Sequence, residues 1–92
     1  MLLVALGACT NQLPDQMVTG VVIAVDGPSI AEVDQVTIRT NAGETLTLTV
    51  GRLELTGGGL PAVHLREHLQ SGIPITAHFR GGVMYYYIDV AS

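Results

Sequence analysis

The sequence predicts a mainly β chain, folded as one small five-stranded barrel with a single short helix, in the order β-β-β-α-β-β. Three observations predict it. Apolar and polar residues alternate with a period of two over several separate runs. Two of those runs end in short glycine turns that bring matching faces together. One stretch, between Pro61 and Gly72, switches to a helical spacing.

Met17 to Val25 is rich in β-branched residues and reads as a long first strand, with Gly20 marking a bulge or bend. Asp26-Gly27-Pro28-Ser29 is a turn cluster, so the segment to Glu32 is a loop. Val33 to Thr40 is the second strand, Asn41-Ala42-Gly43 a three-residue turn, and Glu44 to Val50 the third strand. Pairing Thr40 with Glu44 sets Ile38 against Leu46 and Val36 against Leu48 on the inner face, with Arg39 beside Thr45 and Thr37 beside Thr47 outside. A slip of one residue would reverse every one of these facings, so the register is specified.

Gly51 to Leu60 is a glycine-rich connection. Pro61 suits a first helical turn and Ser71-Gly72 a helix stop, which predicts a helix from Pro61 to Gln70 with Ala62, Leu65 and Leu69 as its apolar stripe. Ile73 to Arg80 alternates again, with Ile73, Ile75, Ala77 and Phe79 inward, and Gly81-Gly82 closes a second hairpin. Pairing Arg80 with Val83 sets Phe79 against Met84, Ala77 against Tyr86 and Ile75 against Ile88. This order of elements is that of the oligonucleotide/oligosaccharide-binding (OB) fold, a five-stranded Greek-key barrel, and the main rival, an SH3-like barrel, usually lacks the helix.

Composition narrows the function. The chain has 92 residues, 48% of them apolar and 13% charged, which suits one domain and excludes a disordered chain. Its single cysteine excludes an internal disulfide and a Cys-pair zinc site. A formal charge of −4, with four arginines as the sole Lys/Arg cations, argues against binding nucleic acid. On the second and third strands the outward residues are Gln35, Thr37, Arg39, Thr45, Thr47 and Thr49, with no stacking aromatic and one cation.

The start of the chain carries an address. Met1 to Ala8 is an apolar run, too short to span a bilayer, that ends in small residues before Cys9. Leu6-Gly7-Ala8-Cys9 resembles the lipobox of bacterial lipoproteins. The resemblance implies diacylation of the Cys9 thiol, removal of residues 1–8 as a truncated signal peptide, and a mature chain beginning at Cys9. It also implies a polar tether over 9–16, a barrel domain over 17–92 and anchoring in the cell envelope, outside the cytoplasm, on the membrane through the lipid on Cys9. In Gram-negative members, Thr10 after the cysteine implies no retention at the inner membrane. The alternative is a cytoplasmic barrel whose apolar start is a strand. A second pattern, Val50-Gly51, then Pro61 to His68, then Gly72-Ile73-Pro74-Ile75, resembles a family of small uncharacterised bacterial proteins of similar length, and implies fold and boundaries only.

Two groups of residues are candidates for chemistry. His64-Leu65-Arg66-Glu67-His68 matches H-x-x-E-H, which places two histidines four apart on one helical face, where they can share a metal. The pattern resembles that of inverted zinc peptidases, but the chain is far smaller than those enzymes and the only acid downstream of His68 is Asp89. The plain alternative has both histidines hydrogen-bonding near the helix ends, with Arg66 and Glu67 solvated. On the last hairpin, the pairing sets His78 opposite Tyr85 and Thr76 opposite Tyr87, with Arg80 beside them, an outward patch suited to an envelope protein or glycan. It serves equally to stabilise the ribbon or to pack under the tether. No nucleophile set can be assembled, and Gly57-Gly58-Gly59 lacks the lysine of a phosphate loop. The expectation is a non-catalytic binding or structural module without a cofactor. Its rival is a metal-binding protein or metal-dependent hydrolase using His64 and His68.

Overall fold

Alternation sends Val36, Ile38 and Leu48 to the same side of a hairpin, and all three are completely buried. The computed structural model describes residues 13–90, so Cys9 and the lipobox-like run lie outside the described residues. The elements are β1 (Gln16–Asp26), β2 (Gln35–Thr40), β3 (Thr45–Val50), a 3-10 turn (Ala62–His64) running into α1 (Leu65–Ser71), β4 (Ile75–Arg80) and β5 (Val83–Asp89). The strands close into a barrel in the order β1-β2-β3-β5-β4. With one short helix between β3 and β4, this is the predicted mainly β, five-stranded OB-like architecture.

The first hairpin has the expected register, Ile38 with Leu46 and Val36 with Leu48. The Thr40 amide donates to the Glu44 carbonyl at 2.8 Å, and Gly43 takes the positive φ of 86° that its place in the turn requires. Closure comes from two further pairings. β3 runs parallel to β5 through Thr49–Val83 and Val50–Met84, and β1 lies antiparallel to β4 from Gln16–Phe79 to Gly20–Ile75.

β1 is shared by two ladders, and Gly20 is where they meet: it pairs with Ile75 of β4 and with Thr40 of β2. The irregularity expected at Gly20 falls instead between Val22 and Ala24, so Ile23 is the extra residue. Gly20 answers a different need, because a Cβ there would overlap the Arg39 carbonyl oxygen.

The second hairpin corrects the expected register. Arg80–Val83 and Phe79–Met84 pair as predicted, but a bulge then leaves Tyr85 unpaired, so His78 faces Tyr86, Ala77 faces Tyr87, Thr76 faces Ile88 and Ile75 faces Asp89. A bulge of one residue turns every later side chain to the other face. Tyr87, expected outside opposite Thr76, is therefore in the core and fully buried. Its hydroxyl donates to the Pro61 carbonyl at 2.7 Å, which satisfies it and pins the start of the helical segment to β5. Burial first, and then the nearby Asp89 and Glu67 carboxylates, push the Tyr87 phenol well above its usual range, so it remains a donor.

The helix plugs one end of the barrel. Its buried residues are Leu65 and His68, and the half-buried Ala62 completes the inner row. Leu69, expected in the stripe, is substantially exposed, and Ile73 precedes β4 and is exposed as well. Within α1 both the third and the fourth residue after Leu65 lie near its face, and the helix is turned so that His68 is buried and Leu69 is left toward solvent. Gly72 ends α1 in the left-handed conformation (φ 76°), with its amide donating to the His68 carbonyl at 3.0 Å.

Candidate functional site

His64 closes the 3-10 turn and His68 lies one helical turn later, so both rings emerge on the side of the helix that meets the end of β5. The ring centroids are 4.9 Å apart and nearly perpendicular. The bulge in β5 brings a third group to them. Having passed the extra residue, Asp89 lies on the Ile75 side of the hairpin, and its Oδ1 sits 3.4 Å from His64 Nε2 and in direct contact with His68 Nε2. These three residues are a group whose ligand atoms lie within 4.8 Å of one another. They stand at the wall of an open cleft of about 430 Å³, which Gln70, Ser71 and Ile73 continue.

Each ring is held from behind. The His68 Nδ1–H donates to the Ile73 carbonyl at 2.7 Å, an acceptor that Gly72 and Pro74 place by ending the helix and beginning the next strand. His64 Nδ1 lies 3.5 Å from a Glu67 carboxylate oxygen three residues on. Both imidazoles thus turn Nδ1 to an oxygen acceptor and Nε2 to the same carboxylate. Burial falls steeply across the group: His68 is 3% exposed, His64 26% and Asp89 46%. The cleft therefore has a rigid floor and an accessible rim.

Arg66, read from the sequence as solvated, is a structural tie. Its Nε and Nη2 donate to the carbonyls of Ile30 and Ser29, both at 3.0 Å, and hold the β1–β2 loop against the helix.

The outward patch expected from His78, Tyr85, Tyr87, Arg80 and Thr76 does not form as one surface. Tyr87 is in the core, and the Thr76 hydroxyl is bonded across to Thr19 at 2.8 Å. His78 packs edge-on against Tyr86, with centroids 5.1 Å apart. Arg80 lies over the Tyr85 ring at 4.2 Å and pairs with Asp15, which also accepts from the Tyr85 hydroxyl at 3.0 Å. The residues just before β1 therefore dock on the hairpin, and Arg80 and Tyr85 are engaged within the chain. Beside them Arg52, Leu53 and Glu54 complete a second cleft of about 310 Å³.

The Arg80 guanidinium, and after it the Tyr85 hydroxyl, hold the Asp15 carboxyl below its usual range. A depressed carboxylate favours the docked state above its ordinary pKa, and that preference is lost as pH falls through the lowered value. Arg80→Ala is expected to raise the Asp15 titration midpoint, followed by carboxyl-carbon NMR, toward the ordinary carboxylate range. An unchanged midpoint would show that Arg80 is not the cause.

On the β2–β3 face, the Thr37 and Thr47 hydroxyls bond to each other at 3.0 Å. They are occupied as a cross-strand pair on that exposed face.

Comparison with family models, with curated proteins and with solved structures returned no match to this chain. Fold and site together define a small closed β-barrel that carries a histidine–carboxylate cleft where its helix meets the last strand.

Proposed function

We propose that this protein is a lipid-anchored, non-catalytic binding module of the bacterial cell envelope, with the cleft beside His64, His68 and Asp89 as its binding surface. One observation supports the anchored reading: among the described residues the barrel closes within Gln16–Asp89. The lipobox-like run ending at Cys9 precedes the first described strand by a few residues, a spacing that suits a short tether. Among the described residues, the hydrophobic core begins at Val18 and Val22. The binding reading rests on the cleft, which is open, polar on one wall and built on rigid elements. Glu67 lies beside His64 Nδ1, on the ring edge away from Asp89, a position that supports the ring and is poorly placed for a hydrolytic base.

Mass spectrometry of the N-terminal peptide from native membranes tests the anchor. The expected species begins at Cys9 and carries the mass of a diacylglyceryl group. A peptide that retains Met1 with a free Cys9 thiol, recovered from the soluble fraction, would establish the cytoplasmic barrel instead.

A further inference from the structure

We infer that the His64–His68–Asp89 group is a site for a late first-row divalent metal ion, with Zn²⁺ as its type and with His64 Nε2, His68 Nε2 and an Asp89 carboxylate oxygen as the three protein ligands. The inference specifies the ligand of the cleft proposed above and is independent of the lipid anchor.

Proton placement is the first argument. A histidine whose Nδ1–H is given to a backbone carbonyl, as His68 gives its own to Ile73, has a bare lone pair on Nε2 when neutral. That lone pair points straight at the Asp89 carboxylate. His64 repeats the arrangement, with Nδ1 toward Glu67 and Nε2 toward the same Asp89 oxygen. Two imidazole nitrogens and a carboxylate converging on one point need a positive charge among them, which a proton on Nε2 or a metal cation can provide. A ring nitrogen turned back to a carbonyl or carboxylate is the outer support that orients metal-bound histidines.

Geometry is the second argument. Bonds of 2.0–2.1 Å in a tetrahedral site separate neighbouring donors by roughly 3.3 Å. His64 Nε2 and Asp89 Oδ1 are 3.4 Å apart, already at that spacing. To bind a metal, the His68–Asp89 contact must open and the three ligand atoms, now within 4.8 Å of one another, must close on one point. The exposed Asp89 and half-buried His64 can make these movements while the buried His68 stays fixed. Three protein ligands leave a fourth position facing the cleft, open to water or to a donor from a partner. Two imidazoles and one carboxylate select zinc, copper, nickel or cobalt over calcium and magnesium, which take all-oxygen shells.

The test uses the full chain in detergent and Zn²⁺ alone as the probe, in competition with a chromophoric chelator. One Zn²⁺ per chain is expected, with affinity reduced by about 100-fold or more in His64→Ala and in Asp89→Asn, since the loss of an outer partner alone typically costs roughly 10–100-fold. His64 and Asp89 are the accessible members of the group, so these variants spare the core. On the unmodified chain, nitrogen-15 NMR of the imidazoles provides a reading independent of any variant. Zn²⁺ should move Nε2 of His64 and His68 and leave His78 unchanged. The assignment is overturned if the chain retains no Zn²⁺, if both variants bind it as tightly as the unmodified chain, or if the nitrogen shifts fall on His78 alone. In each case the alternative left standing is a protonated His68 paired with Asp89, and the lipid measurement on Cys9 is unaffected.

Discussion

Leu65→Ala is expected to destabilise the domain by about 2–5 kcal/mol, the range for truncating a fully buried leucine. Leu65 has no exposed surface and is the apolar residue that seats α1 in the end of the barrel. The other buried member of the helix is His68, whose polar ring offers little replacement for lost hydrophobic contact. Typical domains are stable by roughly 5–15 kcal/mol, with small ones toward the lower end, so a loss of this size consumes a large share of the total. Urea unfolding should show a lower midpoint at unchanged slope. Because Leu65 lies between the two histidines in sequence, the variant should also scatter the cleft. His64 and His68 hold their common aim at Asp89 only while the helix is seated. A midpoint within experimental error of the unmodified chain would mean that the helix is an ornament on the barrel.

Gly20→Ala is the second large effect expected. Replacing glycine by alanine in a strand ordinarily gains some stability by restricting the unfolded chain. Here the sign reverses. The new methyl group would run into the Arg39 carbonyl oxygen and lie 2.8 Å from the Ile38 Cγ2. The first of these is backbone inside a ladder, which cannot swing aside as a side chain can. Since Gly20 belongs to both the β1–β2 and the β1–β4 pairings, a shift at this point disturbs the barrel's closure as well as one hairpin. A cost of about 1–3 kcal/mol or more is expected, measured by thermal or urea unfolding. A stabilised variant would show that the two ladders separate more easily than their geometry implies.

The first hairpin was legible because Val36 to Leu48 alternate cleanly and a one-residue slip would expose the core. The second was only half legible. From Met84 to Ile88 every residue is apolar or aromatic, so no alternation marks which of Tyr85, Tyr86 and Tyr87 is the extra one. That one ambiguity explains two separate misreadings. It put Tyr87 on the outer patch, and it set Tyr86 inward opposite Ala77. The helix misled for a related reason. Positions three and four beyond Leu65 share its face, so the spacing favoured the apolar Leu69, whereas the structure buries His68. A histidine can occupy that buried place only because the Ile73 carbonyl and Asp89 satisfy both its nitrogens, and both partners lie outside the helix. No reading of the helix alone could have supplied them.

The docking of Asp15 on the hairpin gives the barrel a direction. β1 starts beside the far end of β4, where Gln16 pairs with Phe79, while the cleft lies where β5 ends, at the opposite end of the same hairpin. Six residues of strand separate the two ends by roughly 20 Å. Six residues from Cys9 to Asp15 span at most about 20 Å of extended chain. A lipid on Cys9 would therefore hold the Arg80–Val83 tip toward the bilayer, like the foot of a post. On the proposed anchored reading, the histidines would sit at the top of that post, turned away from the headgroups.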